Sequence, residues 1–512
     1  MQFQGRKKKS LINILIALLS NILIYILSLF TSKVIKENLG LQILGLNGVL
    51  SNVISILGLS EMGIGTAITF ALYKPLAEKN ESLIKSIMDF YKKAYRMVAV
   101  IVLLIGLILM PFIPKIIKHS DFSISYILLV YSLFLFNSVV SYLLIYKRTL
   151  IVADQKNYVI TTLTLIYTYV LKIGQLAVVY FTSNYILFLL VQIICSVIYN
   201  VLVSSTCNKL YPFIKGKADK LPDDLHKTIM SKIKAMFCHS LGSVVVYGTD
   251  NLLISYFCGI TEAGKYTSYL SIISMITTFI VLFFDNIHDS IGNFLVTENI
   301  ENKKILFNRL FFINQSLVSI SSICLAILLT PFISMWLGSD TVLSVQIVIA
   351  MILSFYFSKN SLAIGNIKSA AGLFEQDKFI PIIESLINLI SSIILAKFLG
   401  LLGIIIGTII STVLCPFWVQ PFIVYKNVFK ENPIQYFKKY IFYTLRTVFI
   451  FLLSYFIINK VVRFVPNNFF TFLLEAAILF ISVSLLWILT LFWKPEARYF
   501  SELIFSKLGK SK

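Results

Sequence analysis

A few side chains carry charge or an amide inside stretches that are otherwise apolar: Asn21, Glu61, Lys172, Asp250 and Lys359. Polar groups are expensive inside hydrocarbon, so each is a functional candidate by default. The chemistry they offer is binding rather than bond-breaking. A carboxylate at Glu61 or Asp250 can hold a proton or a cation, or accept a hydrogen bond from a hydroxylated substrate. The ammonium groups of Lys172 and Lys359 can neutralise a phosphate or pyrophosphate, with Lys33 and Lys36 at the outer mouth of such a path. Each also has a packing explanation. Glu61 lies among Gly58, Gly63 and Gly65, where small residues let helices approach closely, and it either binds a ligand, joins two helices or faces water at the inner rim. Asp250 and Asn21 can each serve as a hydrogen bond between helices, and Lys359 can pair with Glu384 on the next helix. Arg446 and Lys36 lie close enough to helix ends to snorkel.

Other groupings carry less. Asp285, His288 and Asp289 are close in sequence, and positions 285 and 289 share a helical face, but a fourth metal ligand is missing and a solvated helix end explains them. No metal or cofactor is expected. The cysteines 195, 207, 238, 258, 324 and 415 show no CxxC spacing and read as small apolar residues. There is no GxxxxGK[ST] loop for ATP. No Ser/His/Asp or Cys/His grouping stands out, and Asp223-Asp224 sits in a basic connector, so no enzyme is expected. Gly403, Gly407 and Ser411 follow the small-xxx-small spacing of helix packing.

The elements that must position these residues are transmembrane helices. Hydrophobic residues make up 58% of the chain and charged residues 13%, against about 25% charged in soluble domains. About fourteen apolar stretches, each long enough to cross a hydrocarbon core of about 30 Å, are expected near 11–31, 41–73, 97–114, 122–146, 158–181, 184–206, 233–258, 264–289, 310–334, 342–364, 377–398, 400–425, 440–459 and 467–493. The net charge of +21 would suggest nucleic acid in a soluble protein, but its distribution argues otherwise. Even-numbered loops and both termini hold roughly 34 Lys and Arg against roughly 8 in odd-numbered loops. That asymmetry places both ends in the cytoplasm. Membrane lipids, not nucleic acid, are the expected surroundings. The basic start followed by an apolar run to Phe30 is too long for a signal peptide and reads as a first, uncleaved helix. A stretch at 77–96 reads as an amphipathic cytoplasmic helix, lying on the membrane or packed under the bundle.

The chain repeats weakly at a period of about 220 residues. Gly40-x4-Gly45 opens helix 2 and Gly259-x4-Gly264 opens helix 8. Leu109-Met110-Pro111-Phe112-Ile113 ends helix 3, and Leu329-Thr330-Pro331-Phe332-Ile333 ends helix 9. Six helices per copy make the repeats parallel, a layout in which substrate binds between halves and rocking exposes it alternately. The expected organisation is an N-lobe at 1–207, a connector at 208–232, a C-lobe at 233–425, and an appended helix pair with tail at 426–512.

Several segments carry a resemblance. They are Leu59-Ser60-Glu61-Met62-Gly63-Ile64-Gly65-Thr66-Ala67 with Leu72-Tyr73-Lys74-Pro75-Leu76, Ala371-Gly372-Leu373-Phe374-Glu375-Gln376-Asp377-Lys378, Glu384-Ser385-Leu386-Ile387-Asn388-Leu389, and Gly400-x2-Gly403-x3-Gly407-Thr408. Together they resemble Wzx-type lipid-linked oligosaccharide flippases, the polysaccharide transporter branch of the multidrug/oligosaccharidyl-lipid/polysaccharide (MOP) exporter superfamily, as found in capsule-making Gram-positive bacteria. The resemblance implies a MATE-like, all-α fold of two parallel six-helix lobes plus the extra pair. It implies an undecaprenyl-pyrophosphate-linked repeat unit as substrate, carried across a bacterial plasma membrane for capsule or other exopolysaccharide. The cavity is then lined chiefly by helices 1, 2, 7 and 8, and the final pair helps guide the lipid tail. A glycan polymerase and glycosyltransferases of the same pathway become partners, and the protein works as a monomer. The central helices here hold few cations, a departure from the family's often cationic cavity that leaves Lys172 and Lys359 as sources of positive charge. A cation-coupled small-molecule exporter of the same fold is the alternative.

Overall fold

The computed structural model describes residues 2–58, 64–216, 218–233, 248–458 and 468–508. Every regular element among them is helical, as an apolar chain in hydrocarbon requires, since a helix satisfies its own backbone donors and acceptors. The helices used below are α1 Gln2–Leu39, α2 Leu41–Leu57, α3 Ile64–Ala77, α4 Glu81–Leu109, α5 Ile124–Ala153, α6 Asn157–Thr182, α7 Tyr185–Leu210, α8 Asp250–Cys258, α9 Ile260–Thr297, α10 Ile300–Leu337, α11 Val345–Asn360, α12 Leu362–Ala370, α13 Ile380–Leu399, α14 Leu401–Leu414, α15 Pro416–Val424, α16 Ile434–Ile457, α17 Phe469–Leu491 and α18 Pro495–Leu508. Among the described residues eleven helices are long and apolar enough to cross a membrane. Of the remaining three expected spans, 11–31 falls on α1, 41–73 falls mainly on α2 and α3, and 233–258 ends in α8; 59–63 and 234–247 lie outside the described residues. The chain divides into two compact units, Met1–Gly264 and Lys265–Lys512.

Several boundaries differ from expectation for local reasons. The amphipathic stretch near 77–96 is not a separate helix on the membrane. It is the first half of α4, capped by the Asn80 side chain, which accepts from Leu83 N at 3.0 Å. Its apolar stripe Ile84, Ile87, Met88 and Tyr91 is fully buried, so it packs within the first unit. The span near 342–364 is two helices, α11 and α12, parted at Ser361, and the span near 400–425 parts at Cys415 before Pro416. Proline lacks the N–H that would continue the helix, which accounts for the second break.

The repeated landmarks reappear as repeated conformation. Gly40 and Gly259, 219 positions apart, have φ of 87° and 97°, a region open mainly to glycine. Asn80 and Asn299, at the same offset, both cap the following helix by accepting a backbone N–H. Within the first unit, Gly45 and Gly264 meet reciprocally. A Cβ on Gly45 would lie 2.1 Å from Ile260 O, and one on Gly264 would lie 2.5 Å from Leu41 O. The prolines behave differently: Pro111 sits in a 3-10 turn, whereas α10 runs straight through Pro331.

In the second unit the Gly403/Gly407 stripe makes the close approach its spacing predicts. Added Cβ atoms would meet Leu395 O at 2.2 Å and Ser392 Oγ at 2.3 Å. Asn388 Nδ2 donates to Thr408 Oγ1 at 3.0 Å across the same α13–α14 seam, and Ser392 Oγ donates to Ile404 O at 3.1 Å.

Candidate functional site

In the first unit α1 packs along α6, and Tyr169 OH donates to Ser20 O at 3.2 Å. Asn21 is the next residue on α1, and Lys172 lies three residues beyond Tyr169 on α6, so both candidates belong to neighbouring helices. Both are half-buried. Lys33, at the other end of α1, forms an exposed i,i+4 ion pair with Glu37 at 3.9 Å. Asp250 is buried in the first turn of α8, beside buried Asn251 and Ser255. Ser255 Oγ donates to Ile116 O at 3.0 Å, anchoring α8 to the turn that follows α4. Glu61 lies outside the described residues.

The flanks of the 59–63 segment are informative. A Cβ on Gly58 would lie 3.3 Å from Tyr142 OH, and one on Gly65 would lie 3.4 Å from Tyr91 OH. Gly58 and Gly65 therefore approach one group of tyrosines. Tyr91, Tyr95, Tyr142 and Tyr146 are buried, with ring centroids 4.7 Å apart for 91–95 and 6.2 Å for 95–142 and 91–146. Tyr91 OH and Thr149 Oγ1 share a hydrogen bond of 2.9 Å. Hydroxyls with aromatic faces suit hydroxylated ligands, which both accept hydrogen bonds and stack. The sequence reading missed this group, because tyrosine is an ordinary residue of interfacial helices and only packing reveals the convergence.

In the second unit Lys359 occupies the last turn of α11 and is half-buried, while Glu384 stands in the first turns of α13. Buried Asn314 of α10 reaches the α11–α12 break. Its Nδ2 donates to Lys359 O at 3.2 Å and Asn360 O at 2.8 Å, satisfying carbonyls that the break leaves without helical partners. The next residue, Gln315, is fully buried, and its amide has no hydrogen-bond partner among the described residues. An amide in an apolar run is the sequence signal for both.

Asp285 and His288 line a pocket of about 420 Å³ with Ser361, Asn366, Lys368 and Gln420. The His288 ring is 3.1 Å from Asn366 Oδ1, and Asn366 Nδ2 donates to Phe284 O at 3.3 Å. That amide orientation makes His288 Nδ1 the donor. No group of three or more metal-ligating residues occurs among the described residues. Lys368 and Asp377 form a buried ion pair, so the Ala371–Lys378 segment holds the α12–α13 connection. Arg446 Nε donates to Thr490 Oγ1 at 3.0 Å, tying α16 to α17. The five cysteines among the described residues are free, and Cys238 lies outside them.

No protein-family profile matches the sequence, and no curated protein matches it. Solved structures do. The chain is similar to an inward-facing multidrug resistance MATE transporter of the MOP superfamily, with TM-score 0.61 and 12% identity over 78% of this chain and 94% of the other. It is equally similar to the lipid II flippase MurJ in an inward closed conformation, with TM-score 0.61 and 17% identity over 95% and 99%. The MATE multidrug transporter DinF-BH matches with TM-score 0.54 and 14% identity over 80% and 94%. The chain is therefore a multi-pass helical membrane protein with the fold shared by MATE transporters and the flippase MurJ.

Proposed function

We propose that this chain is a flippase that moves undecaprenyl-pyrophosphate-linked oligosaccharide repeat units from the cytoplasmic to the outer leaflet of a bacterial plasma membrane, by alternating access, in capsule or other surface polysaccharide synthesis. The observation that carries the reading is the extent of the structural match. The lipid II flippase aligns over 95% of the chain and the MATE transporter over 78%. The difference is about the size of residues 426–512, which hold α16, α17 and α18. In this reading the appended helices favour a lipid carrier over a multidrug exporter.

The physical task fits this layout. A sugar-pyrophosphate head entering hydrocarbon alone loses hydration worth tens of kcal/mol by the Born argument. A polar path replaces those interactions while the polyprenyl tail stays in lipid. In this reading the 1–207 and 233–425 lobes enclose the path, both termini face the cytoplasm, and 208–232 joins the lobes. Asn21, Lys33, Glu61, Lys172, Asp250 and Lys359 face the substrate, with Glu61 and Asp250 as ion-coupling carboxylates and Lys172 and Lys359 opposite the pyrophosphate. The buried tyrosines near Gly58 and Gly65 add hydrogen-bonding and stacking groups for sugar. A glycan polymerase and glycosyltransferases act before and after it, and one copy suffices.

Deletion of the gene should make lipid-linked intermediates accumulate on the cytoplasmic side, and expression should restore surface glycan in a strain lacking its own flippase. Unchanged intermediates together with lowered drug efflux would instead assign the chain to cation-coupled export.

A further inference from the structure

A second polar site lies in the second unit, and none of the cavity candidates lines it. Lys438 and Lys439 near the start of α16, Lys494 just after α17, and Glu496 at the start of α18 converge on a pocket of about 210 Å³ with Asn308 of α10 and Phe442. Three ammonium groups against one carboxylate leave the lining with two positive charges in excess. The arrangement is built rather than accidental. Lys439 Nζ donates to Asn308 Oδ1 at 2.8 Å, and Lys494 Nζ stands 4.8 Å from the Phe442 ring centre and 4.4 Å from that of Trp493. Glu496 offsets one of the three lysine charges.

The position identifies the ligand. The pocket sits where α16 begins and α17 ends, at one end of two membrane-spanning helices. That end carries the basic loops and terminal segment that mark the cytoplasmic side. Trp493 and Phe492 are exposed there, as aromatic residues of a membrane interface are. Ile441 and Leu445 on α16 and Leu489 on α17 continue the exposed apolar surface away from the pocket. Basic pockets between transmembrane helices on the cytoplasmic side take phosphate-bearing lipid heads. We propose that this pocket binds the phosphate of an anionic phospholipid of the inner leaflet, the acyl chains lying along the exposed faces of α16 and α17. The proposal stands independently of the flippase reading. A free phosphate shares the head-group chemistry but has no use for the apolar extension.

The test uses the purified full chain in neutral detergent and a phosphatidylglycerol with a fluorescent acyl chain, read by anisotropy. Each lysine near a lipid surface is worth about fivefold in affinity. K438Q/K494Q should therefore weaken binding about 25-fold, while K438R/K494R retains it. Raising salt from about 0.05 to about 0.5 M should weaken wild-type binding, because screening shortens the reach of the lysines. Equal binding of phosphatidylglycerol and phosphatidylcholine, or salt-independent binding by the wild type, would overturn the proposal, and neither measurement needs a variant to fold. Displacement of the lipid by inorganic phosphate at lipid-like concentrations would overturn it in favour of a soluble anion.

Discussion

The reciprocal contact of Gly45 and Gly264 gives a quantitative prediction. In Gly45→Ala the new methyl would lie 2.1 Å from Ile260 O, where ordinary contact needs about 3.5 Å. The obstructing atom is a backbone carbonyl, so no rotamer change relieves it. The helix starts must separate by about 1 Å instead. Overpacking of this kind costs about 1–3 kcal/mol, and a backbone obstruction belongs at the upper end. Alanine regains about 0.5–1 kcal/mol over glycine within a helix, so the net loss is about 2 kcal/mol. Gly264→Ala, with its methyl 2.5 Å from Leu41 O, should lose slightly less. Because either change pushes the same pair apart, the double variant should lose clearly less than the sum of the singles. Gly292→Ala is the control: its methyl would have no neighbour nearer than 3.7 Å, and it should be neutral or stabilising. The assay is apparent Tm in detergent at one scan rate, since unfolding of such a protein is not reversible. A drop of a few degrees is expected for each of the first two variants, extrapolating the size scaling of smaller domains. A Tm for Gly45→Ala at or above wild type, or strict additivity in the double variant, would refute the packing argument.

Gly403→Ala and Gly407→Ala should each destabilise by about 1–3 kcal/mol, since their methyls would meet Leu395 O and Ser392 Oγ well inside contact distance; thermal stability of the two variants checks this. The α5–α6 turn offers a pH test. Burial raises the Asp154 carboxyl, but hydrogen bonds from Lys156 and Tyr211 outweigh burial and hold it below its ordinary value. A depressed carboxyl contributes stability above its unfolded pKa of about 3.9 and loses it as pH falls through the lower folded value. The Tm gap between wild type and Asp154→Asn, about 1–2 kcal/mol in origin, should be full at neutral pH and close below about pH 4; a gap that widens in acid contradicts it. Glu61→Gln and Asp250→Asn should each abolish surface glycan export at normal protein level if these carboxylates couple ions, and normal export by both variants would reduce them to packing roles.

The spans were legible in sequence because hydrocarbon thickness imposes a length and forbids most polar residues, leaving apolar runs of fixed size. The repeat was legible at Gly40/Gly45 and Gly259/Gly264 because few residues other than glycine can enter the φ region that both helix junctions use, or tolerate the carbonyl contacts that follow. What escaped lay in partners remote along the chain. The break between α11 and α12 has no proline or glycine at Asn360-Ser361 to announce it, and its carbonyls are satisfied by Asn314, 46 residues earlier. Likewise spacing along one helix groups His288 with Asp285 and Asp289, whereas its hydrogen bond goes to Asn366, 78 residues away.

A rule for such chains follows from the cost of an unsatisfied group in lipid. An asparagine or glutamine in an apolar run needs a donor or acceptor, and in hydrocarbon the available ones are other polar side chains or backbone freed by a helix break. Asn388 found the first kind in Thr408, and Asn314 found the second in Lys359 and Asn360. Such amides thus point to interruptions of neighbouring helices as well as to ligands. Asn314 therefore marks the place where Lys359 leaves regular helix, and the backbone there holds the one embedded lysine of the second unit's candidates in position.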